Sequence, residues 1–182
     1  FIPLLFSVLY STTVVGLYAL ANRMIRLPNI VITSSIANVF RNDAIDEIRE
    51  KGNCKDLYLS TLKKLVLLSI PIYVLVFIFS PILFLLIFGS QWELAGHFAR
   101  ILSTMLLFEF VTTPLNTLFY VRDKQKILMR IQFVNAVFGA LSIYLGAKFF
   151  KDPLYSLGIF SANAIMFNII FLILSYRISK ND

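Results

Sequence analysis

The 182 residues are 58% hydrophobic and 15% charged, with a formal net charge of +7 and a mean hydropathy of +0.79. Ordinary soluble domains are about 45–50% apolar and about 25% charged, so a water-soluble globule is excluded; short charge clusters between long apolar runs mark a polytopic membrane protein. One cysteine, Cys54, and one histidine, His97, exclude an intrachain disulfide, a thiolate metal site and a histidine zinc site.

A membrane-crossing helix needs about 20 mostly apolar residues. On that basis the expected fold class is all-α, a single bundle over residues 1–182 with about six transmembrane helices. The spans fall near residues 1–15, 16–40, 62–88, 94–121, 127–149 and 153–178. Phe1 already stands inside an apolar run, so the first span reads as the remainder of a longer one and the chain as a fragment. Residues 41–61 form a cytoplasmic amphipathic loop. Within it Ala44, Ile45 and Ile48 lie on one side of a short helix ended by Gly52, read foremost as a solvated extension of the second span.

Basic residues gather in alternate loops. Arg41, Arg49, Lys51, Lys55, Lys63 and Lys64 follow the second span, Arg122, Lys124, Lys126 and Arg130 follow the fourth, and Arg177 and Lys180 close the chain. The loops between carry little charge. Positive residues accumulate on the cytoplasmic side, which explains the net charge without a nucleic-acid partner and sets the C-terminus inside.

Three ionisable side chains interrupt the apolar runs: Arg23 and Arg26 in the second span and Glu109 in the fourth. Burial at mid-membrane costs about 2.5–3.5 kcal/mol on insertion scales, so each is a functional candidate. Arg23 and Arg26 stand about 60° apart on a helix, near Ser34, Ala37 and Asn38, which gives the second span a wet face. Two readings fit. The arginines grip a diphosphate in two-pronged fashion, with Ser34 and Asn38 beside them, or one of them pairs with Glu109 or with helix-end carbonyls and ties helices together. Glu109 likewise fits either a coupling-ion carrier or a counter-ion.

Pro28, Pro71, Pro81 and Pro114 each remove a helical hydrogen bond and invite kinks. Asn135, Gly139, Ser142 and Gly146 make a small-residue stripe that marks close helix packing. His97 lacks an acidic or cysteine partner at motif spacing and reads as interfacial. No nucleotide loop, Ser/His/Asp set or paired-carboxylate motif occurs, so the expectation is a non-enzyme without catalytic residues, metal or cofactor.

The run Val15-Gly16-Leu17-Tyr18-Ala19-Leu20-Ala21-Asn22-Arg23-Met24-Ile25-Arg26-Leu27-Pro28 resembles a stretch of bacterial oligosaccharide flippases. These are the O-antigen repeat-unit translocases of the multidrug/oligosaccharidyl-lipid/polysaccharide exporter superfamily. Ile36-Ala37-Asn38-Val39-Phe40, the turn from Phe88-Gly89-Ser90-Gln91-Trp92-Glu93-Leu94-Ala95-Gly96, and Lys124-Gln125-Lys126 are similar to the same family, over roughly residues 15–126. The resemblance implies two six-helix lobes facing a cavity that opens alternately to either side, this chain matching the second lobe and lacking the first. It implies that Arg23 and Arg26 face the cavity and bind the diphosphate of an undecaprenyl-linked oligosaccharide, in a bacterial inner membrane and among membrane lipids. A cation-coupled drug exporter of the same superfamily, a membrane-embedded glycan polymerase or transferase, and a structural membrane subunit are the competing readings.

Overall fold

The computed structural model describes residues 2–180, and those residues are helical almost throughout. In order they form α1 (Ile2–Leu9), α2 (Thr12–Lys51), α3 (Lys55–Phe88), a short 3-10 turn (Ser90–Trp92), α4 (Glu93–Leu115), α5 (Leu118–Val121), α6 (Gln125–Phe150) and α7 (Pro153–Ser179). Phe1, where the first expected span begins, lies outside the described residues.

The chain is an all-α membrane bundle. Among the described residues four stretches are long and apolar enough to cross a bilayer by length and composition: Lys55–Phe88, Ser90–Val121, Gln125–Phe150 and Pro153–Ser179. α2 has the length, yet Asn22, Arg23, Arg26 and Asn29 lower its hydropathy below that of a plain span. α3 turns large apolar residues outward, with Leu67 at 74% and Leu86 at 75% exposure. A soluble monomer seldom exposes such a continuous face, whereas hydrocarbon covers it at no cost.

Several boundaries differ from those read in the sequence. The first break falls at Tyr10–Ser11 rather than at Gly16, because Ser11 caps α2 by accepting a hydrogen bond from the Val14 amide, while Gly16 has open space around it and stays helical. α2 then runs unbroken through Pro28 to Lys51, so the first part of the 41–61 segment extends the second helix. Gly52 ends it in the left-handed region at φ 76°, where a residue without Cβ is unstrained. α3 starts at Lys55 instead of residue 62 and continues through Pro71 and Pro81. The fourth expected span divides just past Pro114: α4 ends at Leu115 and a tight turn leads into α5.

α4 is the central helix. α3, α2 and α7 pack around it, α6 packs on α7, and α1 touches α2 and α6. Small residues set the close approaches. A Cβ on Gly96 would come within 2.6 Å of Pro81 Cα on α3, and one on Gly146 within 2.6 Å of Ser156 Cα on α7. The stripe on α6 therefore faces α7 at Gly139, where Phe160 lies against it, and at Gly146. Phe6 stacks on Tyr18 and meets Phe98 edge-on, which seats α1 against α2 and α4.

The basic clusters come together at one end of the bundle. There Arg122 Nη2 donates to the Gly52 carbonyl at 2.7 Å and the Cys54 amide donates to the Ser179 carbonyl at 3.0 Å. The opposite end holds the α1–α2 turn, the Ser90–Trp92 turn and the α6–α7 turn, where the Tyr10 hydroxyl donates to the Asp152 carbonyl. The charge asymmetry of the sequence is thus an asymmetry of the two faces of the bundle.

Candidate functional site

The helical spacing of α2 divides its polar residues between two directions. Arg26 and Asn22, one turn apart, turn inward toward α4, and the Arg26 Nε donates to Asn22 Oδ1 at 3.2 Å. Its Nη1 reaches the Glu109 carboxylate, Nη1 to Oε1 2.5 Å, with the two side chains 30% and 28% exposed. A charged pair at this depth is favoured because each ion would otherwise be transferred alone into a weakly polarisable medium. Of the alternatives open for Arg26 and Glu109, the geometry realises the ion pair.

Arg23 takes the other direction. It is exposed and forms neither ion pair nor hydrogen bond among the described residues. Ser34 and Asn38 are exposed as well, and both lie within about 60° of Arg23 on a helical wheel, along one outward stripe. Ser34 returns its hydroxyl to the Val31 carbonyl at 3.0 Å. At 1.5 Å per residue, Ser34 stands about 16 Å and Asn38 about 22 Å from Arg23 along the axis, too far for all three to hold one diphosphate. Arg41 continues the stripe to the basic end. The structure thus sets Arg23, Ser34 and Asn38 on one face, and Arg26 with Glu109 on another.

Beside the Arg26–Glu109 pair lies a cleft of about 280 Å³. It exists because α6 packs on α7 rather than on α4, leaving α4 and α6 apart. Glu109, Thr112 and Thr113 reach it from α4, Asn116 from the turn that follows, Gln132 and Asn135 from α6, and Asn168 from α7, with Phe160 and Phe171 as apolar walls. Thr112 Oγ1 donates to Asn168 Oδ1 at 2.6 Å, and Asn168 Nδ2 donates to the Ala164 carbonyl at 2.8 Å. Asn163 Nδ2 donates to Asn135 Oδ1 at 3.1 Å. Asn116 Oδ1 is buried with no hydrogen-bond partner among the described residues.

The cleft was not assembled by sequence reasoning, although its signal is visible. Glu109, Thr112, Thr113 and Asn116 recur at three- and four-residue steps, the period of one helix face, and Gln132 with Asn135 repeats the pattern on α6. A second space is of opposite character: a groove of about 240 Å³ between α2 and α3, lined mostly by apolar side chains such as Ile25, Ile32, Ile72 and Phe84.

Away from the spans, burial pushes the Cys54 thiol up to about 11, which leaves it protonated and unreactive at neutral pH. His97 lies 4.0 Å from Glu93 at the end of the bundle opposite the basic one. Among the described residues no three of His, Cys, Asp and Glu gather as a metal site would require.

A family model described as polysaccharide biosynthesis protein matches residues 2–97, slightly more than half of the chain. The match spans α1, α2, α3 and the start of α4, and so contains Arg23, Arg26, Ser34 and Asn38 but neither Glu109 nor the other walls of the cleft. Among curated proteins and among solved structures, none matches this chain.

Proposed function

Because the chain belongs to the polysaccharide biosynthesis protein family, we propose that it is the second six-helix lobe of a flippase. Its cargo is a lipid-linked, undecaprenyl-diphosphate oligosaccharide, carried across a bacterial inner membrane for O-antigen or exopolysaccharide assembly. The carrying observation is the outward stripe on α2. Arg23 has no ion-pair or hydrogen-bond partner among the described residues, on a bundle whose exposed surface is largely hydrocarbon side chains, and Ser34, Asn38 and Arg41 share its line. An uncompensated guanidinium at that depth is costly against lipid and is stabilised by a water-filled cavity carrying an anion.

In this reading the stripe faces a first lobe, α2 adds a fifth crossing to the four apolar stretches, α1 with its eight residues supplies part of a sixth, and the basic end and C-terminus lie in the cytoplasm. The diphosphate meets Arg23, while Ser34 and Asn38 stand further along the path of the head group. Arg26 is neutralised by Glu109. A proton or cation taken up by Glu109 releases Arg26 for the anion, which makes this pair the coupling element. The rocking of two lobes around the site carries the head group across while the lipid tail stays in the bilayer. A cation-coupled drug exporter would need a free acid at that depth, and Glu109 is held by Arg26.

The test is Arg23→Glu in the whole protein, expressed in cells dependent on it. One charge-assisted phosphate contact is worth about 1.5–3 kcal/mol, so glycan export should fall by about ten- to a hundredfold while lipid-linked oligosaccharide accumulates in the inner membrane. Unchanged export at normal protein level sinks the assignment.

A further inference from the structure

We propose that the cleft between α4, α6 and α7 is a binding site for an uncharged sugar ring. The inference rests on the flippase reading in that it takes the sugar from the head group of the same cargo. Hydrocarbon cannot fill this space, because amide and hydroxyl groups left facing lipid without partners cost about 2–7 kcal/mol each. The side chains come from α2, α4, α6 and α7, and the cleft lies off-centre toward the basic end: Glu109 is about 24 Å along the roughly 34 Å of α4, Gln132 about 10 Å along the roughly 39 Å of α6, and Asn168 about 22 Å along the roughly 40 Å of α7.

Charge decides the ligand class. Arg26 and Glu109 cancel, so the cleft offers neither a net positive field for a diphosphate nor a net negative one for a cation. It offers amides, which present donors and acceptors together, as the hydroxyls of a sugar do. Their orientations are fixed by the Thr112–Asn168 and Asn135–Asn163 hydrogen bonds, so Asn135 keeps its amide hydrogens for another partner. Asn116 lines the cleft, and its Oδ1 is buried with no hydrogen-bond partner among the described residues. Phe160 and Phe171 supply apolar walls against which the C–H face of a pyranose packs. The volume of about 280 Å³ holds about nine waters at ~30 Å³ each, room for one ring with part of its hydration.

The experiment is saturation-transfer NMR on the whole protein in detergent. The probes are methyl α-D-glucopyranoside, methyl α-D-galactopyranoside and N-acetyl-D-glucosamine, with inorganic pyrophosphate as the charged competitor. At least one sugar should receive saturation and keep it in excess pyrophosphate. Its affinity should fall about tenfold in Asn116→Leu and in Gln132→Leu, as expected for one or two lost hydrogen bonds. Gln132 is exposed and makes no hydrogen bond among the described residues, so that variant folds even where Asn116→Leu does not. Absence of transfer to all three sugars, displacement by pyrophosphate, or undiminished binding in Gln132→Leu overturns the site. Loss of export in Arg23→Glu cells with no sugar binding by the wild-type protein removes the subsite and leaves the flippase standing. Sugar binding with normal export in those cells does the reverse.

Discussion

Replacing Glu109 by Gln keeps the shape of the side chain and removes the charge opposite Arg26. Unit charges about 4 Å apart attract by about 4 kcal/mol at an effective dielectric of 20 and by about 1 kcal/mol in water. With the two side chains 30% and 28% exposed, the pair sits between those limits. Removing one partner of a fully buried pair costs about 3–5 kcal/mol, and partial wetting lowers this to about 2–3 kcal/mol. For a chain of this size each kcal/mol moves the midpoint by about 2–4 °C, so Glu109→Gln and Arg26→Met should each unfold about 4–12 °C early in detergent. The double variant leaves no uncompensated ion and should lose about 2 kcal/mol less than the sum of the two singles. Thermal unfolding of all four proteins closes the cycle. A double variant whose loss equals that sum to within about 0.5 kcal/mol refutes the coupling.

Three glycines on helices separate close packing from local propensity. Gly146→Ala and Gly96→Ala each drive a Cβ to 2.6 Å from backbone on the facing helix and should destabilise by about 1–3 kcal/mol. Gly16→Ala meets nothing within 4 Å and should stabilise α2 by up to about 1 kcal/mol; the same unfolding measurement compares all three, and equal effects contradict the packing. Cys54 should resist a maleimide in the folded protein between pH 7 and 9 and react once the protein is denatured in SDS, because it is fully buried. With the folded thiol at about 11 and the unfolded one at 9.0, Cys54 has no effect on stability below pH 9 and progressively favours unfolding from pH 9 to about 11. Rapid labelling of the native protein contradicts the burial.

The helical class and the membrane setting were legible because they depend on composition and run length, which survive any error in packing. The alternation of basic loops carried through to a bundle with Arg122, Gly52 and Ser179 at one end. Boundaries were less legible where side-chain chemistry competes with hydropathy. Ser11 starts α2 in the middle of an apolar run, and only its capping hydrogen bond reveals it. The site was half legible. Arg23, Arg26 and Glu109 stood out by transfer cost alone, but the 60° between the arginines decides which reaches Glu109, and that follows from how α2 rotates against α4. Asn135 read as a packing residue because Gly139 and Gly146 follow it at the same period. It packs against α7 through Asn163 and also lines the cleft, two roles that one sequence position cannot separate.

The unbroken length of α2 has a mechanical meaning. Its 40 residues make a rod of about 60 Å, twice the roughly 30 Å thickness of the hydrocarbon layer. Arg26 stands about 21 Å from the Thr12 end of that rod and about 38 Å from the Lys51 end, pinned to Glu109, with Pro28 removing a backbone hydrogen bond half a turn further on. A tilt of about 10° about the ion pair would carry the Thr12 end through about 4 Å and the Lys51 end through about 7 Å. The charged tip at Arg49 and Lys51 then moves opposite to the far end at Thr12.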